Sequence, residues 1–68
     1  MAETDELTIQ LDQFMKLTGL VGTGGQAKVV IQAGEVRING AIETRRKKKL
    51  KAGDQVTFQG QTLVVEFE

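Results

Sequence analysis

The apolar period of this chain changes at Gly34, and that change constrains the fold more than any other feature. Before it, Leu11, Phe14 and Met15 recur at i, i+3, i+4, with Leu7 one turn earlier, and Ala27, Val30 and Ile31 repeat the spacing. That is the stripe of an amphipathic helix. After it, Val36 and Ile38 alternate with Glu35 and Arg37, the period-two pattern of a half-buried strand. At 68 residues and without Cys, the chain is near the lower limit for folding on one core without staples. Leu11, Phe14, Ala27, Val30, Ile31, Val36 and Ile38 are therefore expected to share that core.

The boundaries follow from local chemistry. The first helix is expected from about Leu11 to Thr18, with Asp12 early, Lys16 late and Gly19 as its stop. The second starts near Thr23, where Thr23 and Gln26 have capping-box spacing, and ends at Gly34. Lys28 and Gln32 face away from its stripe. Asn39-Gly40 between two β-prone runs signals a hairpin. Lys51 to Asp54 reads as a turn, Gln55 to Phe58 as a strand, Gln59 to Gln61 as a turn and Thr62 to Phe67 as a last strand. The expected fold is α+β, two short N-terminal helices packed on a small antiparallel sheet of about four short strands. Residues 1–6 read as a flexible acidic tail and 7–68 as the domain.

The formal net charge of zero conceals a strong segregation. Eight of the nine basic residues lie between Lys28 and Lys51, and Arg45, Arg46, Lys47, Lys48 and Lys49 are consecutive. Residues 1–12 carry −4, 28–51 carry +6 and 52–68 carry −3. Such a local positive field attracts polyanions. Five adjacent cations repel one another and are expected in a loop or solvated strand, as a phosphate-backbone patch that Lys28 and Arg37 extend. A generic solvated loop and a nuclear-targeting peptide are the competing readings of the run.

Catalysis is poorly provided for. There is no His, Cys, Ser or Tyr, which removes the usual general base, the common nucleophiles and the preferred transition-metal ligands. No enzyme activity, metal, cofactor or small-molecule substrate is implied. "GTGGQAK", Gly22 to Lys28, only superficially suggests a nucleotide loop, since no strand precedes it and Val29 stands where a magnesium-binding Ser or Thr is required. Gly24 and Gly25 either ease a close helix approach or a tight entry turn, the favoured reading, or leave N–H groups open to a phosphate. The longest apolar runs are three residues and the N-terminus is acidic, so neither a membrane span nor a secretory signal is expected. A cytoplasmic protein is the default. Only Phe14, Phe58 and Phe67 are aromatic, and all three sit in apolar patterns. Without a stacking platform, recognition of a nucleic acid would rest on shape and phosphates, which favours folded RNA over single strands.

Leu11 to Phe58 resembles the RNA-binding domain named after small-subunit ribosomal protein S4, the α-L motif. The resemblance is carried by Leu11-Asp12 opening the first helix, Thr23 at the second cap and Gln26-Ala27-Lys28 inside that helix. Gly34 to Gly40 and Lys51 to Asp54 complete it, and the whole is similar to the stand-alone bacterial members. It implies non-catalytic binding of structured RNA, ribosomal or transfer RNA or the ribosome, through a two-helix-plus-hairpin surface. The family's basic position on the second helix falls on Lys28 and its hairpin polar positions on Arg37 and Asn39. Many members have Arg after the capping residue, where this chain has Gly24. A phosphate contact is lost at that point, or is supplied by backbone N–H groups and the run Arg45 to Lys49; Lys51 adds charge to the run, and Thr23, Gly24 and Gly25 orient the second helix toward a phosphate. An adaptor docking an acidic protein or anionic surface through the same face is the alternative.

Overall fold

The computed structural model describes residues 7–67. The acidic stretch read as a tail, 1–6, lies outside the described residues. In order, the elements are β1 (Ile9–Gln10), α1 (Leu11–Leu17), α2 (Gly24–Gln32), β2 (Val36–Ile38), β3 (Ala41–Ile42), β4 (Lys49–Leu50), β5 (Gln55–Phe58) and β6 (Gln61–Val64). A four-stranded antiparallel sheet runs β3-β2-β5-β6, and β1 pairs with β4 in a separate two-stranded ladder. The fold is α+β, as the change of period implies.

Both helices and the sheet supply one core. Leu11, Phe14 and Met15 come from α1, Ala27 and Ile31 from α2, and Val36, Ile38, Val56 and Phe58 from the sheet. Leu50 of β4 and Val65 close it. Along β2 the burial alternates, so Val36 and Ile38 face inward while Arg37 faces out. Helix α2 ends in a paired motif at a left-handed Gly34 (φ +80°), with the Gly34 amide donating to Ile31 and that of Glu35 to Val30. Both hairpins turn on two residues of positive φ, Asn39-Gly40 and Gln59-Gly60. That geometry matches the right-handed strand twist.

Several expectations are corrected. Two strands beyond the expected four appear, β1 and β4, because Ile9 and Gln10 pair with Leu50 and Lys49. Leu7 therefore precedes a strand, is 60% exposed and forms no part of the α1 stripe. Val30 is half-buried rather than fully inside. The last strand begins at Gln61 and ends at Val64, since the turn needs only Gln59 and Gly60. The cap of α2 is also offset. Thr23 Oγ1 accepts from the Gln26 amide at 3.0 Å, but the Gln26 side chain reaches past Thr23 to accept from the Gly22 amide at 2.9 Å.

Candidate nucleic-acid interface

Five adjacent cations cannot be buried, so whatever orders them must act through their backbone. Two carbonyls of the run do this. The Leu11 amide donates to Lys48 O at 2.8 Å and the Asp12 amide to Arg46 O at 3.0 Å. Gln10, at the N-cap of α1, makes no side-chain capping bond. The basic segment thus takes over the capping of α1, satisfying helix amides that otherwise lack acceptors. Immediately after it, Lys49 and Leu50 pair with Gln10 and Ile9. The peptide is held along the start of the chain while Arg45, Lys47 and Lys49 are exposed and Arg46 and Lys48 are half-buried.

Two acids pin the ends of this segment. Glu43, whose side chain is only 13% exposed, accepts from the Arg45 amide at 3.0 Å, from Arg45 Nε at 2.8 Å and from Nη2 at 3.3 Å. These bonds to Arg45 hold the Glu43 carboxyl below its ordinary value and raise that of the guanidinium. Asp54 accepts from the Lys51 amide at 3.0 Å and from Asn39 Nδ2 at 3.3 Å. The Lys51 amide is the main cause of its lowered pKa, with the Asn39 bond and the Lys51 and Lys48 charges adding to it. Asn39 also accepts from the Gln55 amide at 2.9 Å. It is a clip between the β2–β3 turn and β5, with one amide hydrogen left over.

The side chains then line two adjoining hollows, both open to solvent. One, of ≈ 630 Å³, is lined by Arg45, Arg46, Lys47, Lys48 and Lys49 alone. The other, of ≈ 540 Å³, lies between the run and the β2–β3 hairpin, with Lys48, Lys49 and Lys51 facing Asn39 and Ala41. Lys48 and Lys49 line both. The structure thus brings together the run, Lys51 and Asn39.

Other expected site residues are not among those that line the hollows. Lys28 is exposed on α2 and lines neither hollow. Arg37 sits opposite Ile42 and Thr57 on the sheet face away from the core, and it too lines neither. Thr23, Gly24 and Gly25 form the start of α2. A Cβ at Gly24 would meet nothing within 4 Å, and one at Gly25 only Thr23 Oγ1 at 4.0 Å. Neither glycine has a left-handed φ, so a close helix approach does not explain them. Of the aromatics, Phe14 and Phe58 are buried and Phe67 is half-buried against the core. Sequence reasoning missed Glu43, Asp54, Thr8 and Ala41 as parts of the site. Only Asp54, in its turn, carried a local signal.

A family model described as the S4 domain matches residues 2–66. The "Putative RNA-binding protein YbcJ" of Escherichia coli is 40% identical over 57 residues, covering 84% of this chain and 81% of that protein. The "Probable ribosome maturation protein RlbA" of Bacillus subtilis is 39% identical over 56 residues, covering 82% and 79%. No solved structure matches significantly. Among the described residues, no helix is long and apolar enough to cross a membrane.

Proposed function

Since the chain belongs to the S4 domain family, we propose that it binds structured RNA without catalysing a reaction on it, through the face built on Arg45 to Lys49. The observation that carries this reading is the backbone tie of that run to α1, which orders the segment through its main chain, so that of its five cations only Arg45 is paired with an acid among the described residues. Residues 7–68 constitute the binding domain and the cytoplasm is where it works. Its target is ribosomal or transfer RNA or the ribosome itself. The RlbA relative, named for ribosome maturation, favours the ribosomal side. Lys28 and Arg37 line neither hollow, which makes them secondary contacts for an RNA broad enough to reach beyond the run. A folded RNA has that breadth, and shape and phosphate contacts suffice to hold it.

The test is a salt titration against a folded RNA hairpin. With about four phosphates neutralised, log affinity falls against log salt with a slope of roughly −3 to −4, about a hundredfold between 50 and 200 mM. Replacing Arg45, Arg46 and Lys47 together by Ala flattens the slope and weakens binding nearly uniformly across sequences. Salt-insensitive binding, or a triple mutant equal to wild type, removes the basic-face mechanism. Capture of an acidic protein in place of RNA would put the adaptor reading in its place.

A further inference from the structure

We infer that the cleft between the β2–β3 hairpin and the basic segment seats one backbone phosphate of the bound RNA, an inference that rests on the RNA-binding reading above. Its ≈ 540 Å³ lies within the ≈ 300–1,000 Å³ range of ligand clefts. Hydrogen-bond accounting identifies the occupant. Each carboxylate and amide oxygen of the side chains at its rim already accepts a hydrogen bond: both Glu43 oxygens from Arg45, both Asp54 oxygens from Asn39 and Lys51, and Asn39 Oδ1 from Gln55. What remains is mostly donors, namely the ammonium groups of Lys48, Lys49 and Lys51, the Thr8 hydroxyl and the second Asn39 amide hydrogen. Among the described residues none of these three lysines forms an ion pair. Three ammonium groups against the two carboxylates of Glu43 and Asp54 leave the cleft net positive, and with its free donors it suits a ligand that offers acceptors and negative charge. A phosphodiester is that ligand, and it is supplied by the polymer the adjoining run attracts. Its ribose would lie on the apolar wall formed by Ile38, Ala41 and Ile42. Because Lys48 and Lys49 line both hollows, a strand leaving the cleft continues directly along Arg45 to Lys49.

Filling the cleft without touching charge isolates this site. Ala41→Leu and Thr8→Leu fill it from two separate segments, and both positions are exposed, so each tests the cleft if the other perturbs folding. In the hairpin-RNA salt titration, either variant is expected to make the slope less negative by about 0.9 and to weaken binding roughly tenfold at 50 mM salt. Thermal unfolding, run alongside, is expected to be unchanged. Adding Lys51→Gln to Ala41→Leu is expected to cost no further slope, because one phosphate is lost once. A folded filler variant with the wild-type slope, or losses from Ala41→Leu and Lys51→Gln that add, would overturn the cleft while leaving the basic face standing. Salt-independent binding by wild type would instead remove the RNA reading and the cleft together.

Discussion

The two helices of this domain begin in opposite ways. Helix α2 is capped by its own neighbours, with Thr23 accepting from Gln26 and Gln26 from Gly22. Helix α1 has no side-chain cap and depends on carbonyls of Arg46 and Lys48, more than thirty residues away in sequence. The first arrangement leaves the Gly24 and Gly25 amides without an acceptor among the described residues. The second consumes the α1 amides but immobilises the segment that carries the charge. Local capping makes a helix. Remote capping makes a helix and positions a ligand face at once.

Leu50 is fully buried in β4, directly after the run, and the α1 cap depends on it most. Leu50→Ala is expected to cost about 2–5 kcal/mol in chemical denaturation. It should also raise hydrogen exchange at the Leu11 and Asp12 amides more than at Gln26 and Ala27. A loss well under 1 kcal/mol, or equal exchange at both helix starts, would mean that β4 does not hold the α1 cap.

The same contrast explains what was legible in the sequence. The α2 start, the Gly34 stop, the Asn39-Gly40 hairpin and the alternation in β2 all rest on residues within four positions of one another, and each is present in the structure. The S4 domain resemblance was legible for the same reason, being an ordered set of such local signals. β1 and β4 were not legible, because two-residue strands have no periodicity and Ile9-Gln10 finds its partner only in three dimensions. Glu43 and Asp54 were hidden likewise. The turn at Lys51 to Asp54 was legible, whereas the hydrogen bonds of Glu43 and Asp54 to Arg45, Lys51 and Asn39 that frame the cleft were not. The surroundings of Arg37 were hidden for a different reason. A charge on a strand gives its sheet face, but not which loops share that face.

At α2 the effect of removing the cap should be smaller and confined to one end. Thr23→Ala is expected to destabilise by about 0.5–2 kcal/mol. Salt dependence of RNA binding should stay as in wild type, since the basic segment is tied to the other helix. A variant that loses slope would show that the two helix starts act on the RNA together.

Gly25→Ala should act in the opposite direction. Its site is open and its backbone ordinary, so the substitution is expected to stabilise by about 0.4–1 kcal/mol, chiefly by restricting the unfolded chain. RNA affinity should not change if the glycine only eases the entry to the helix. Weaker binding by a more stable variant would make the open amides of α2 a phosphate contact and reduce the difference between the two helix starts.

The smallest effect expected is pH dependence, and it too separates the helices. The cap of α2 uses a hydroxyl and an amide, neither of which titrates. The segment that caps α1 is framed by Glu43 and Asp54, whose carboxyls are held below their ordinary values, the first by Arg45 and the second by the Lys51 amide. A depressed folded-state pKa means the unfolded chain binds protons more readily, so the stabilisation is fully present above the unfolded carboxylate values near pH 4. It is lost as pH falls through the lower folded-state values. Both groups lie near the surface, and solvent screening keeps the contribution modest. Acidification below about pH 4 should therefore loosen the Leu11 and Asp12 amides ahead of Gln26 and Ala27 in exchange measured by NMR. In the Glu43→Gln, Asp54→Asn double variant, the acid-induced part of that difference should shrink towards zero. If it persists at wild-type size, the frame of the basic segment is not what ties α1 to pH.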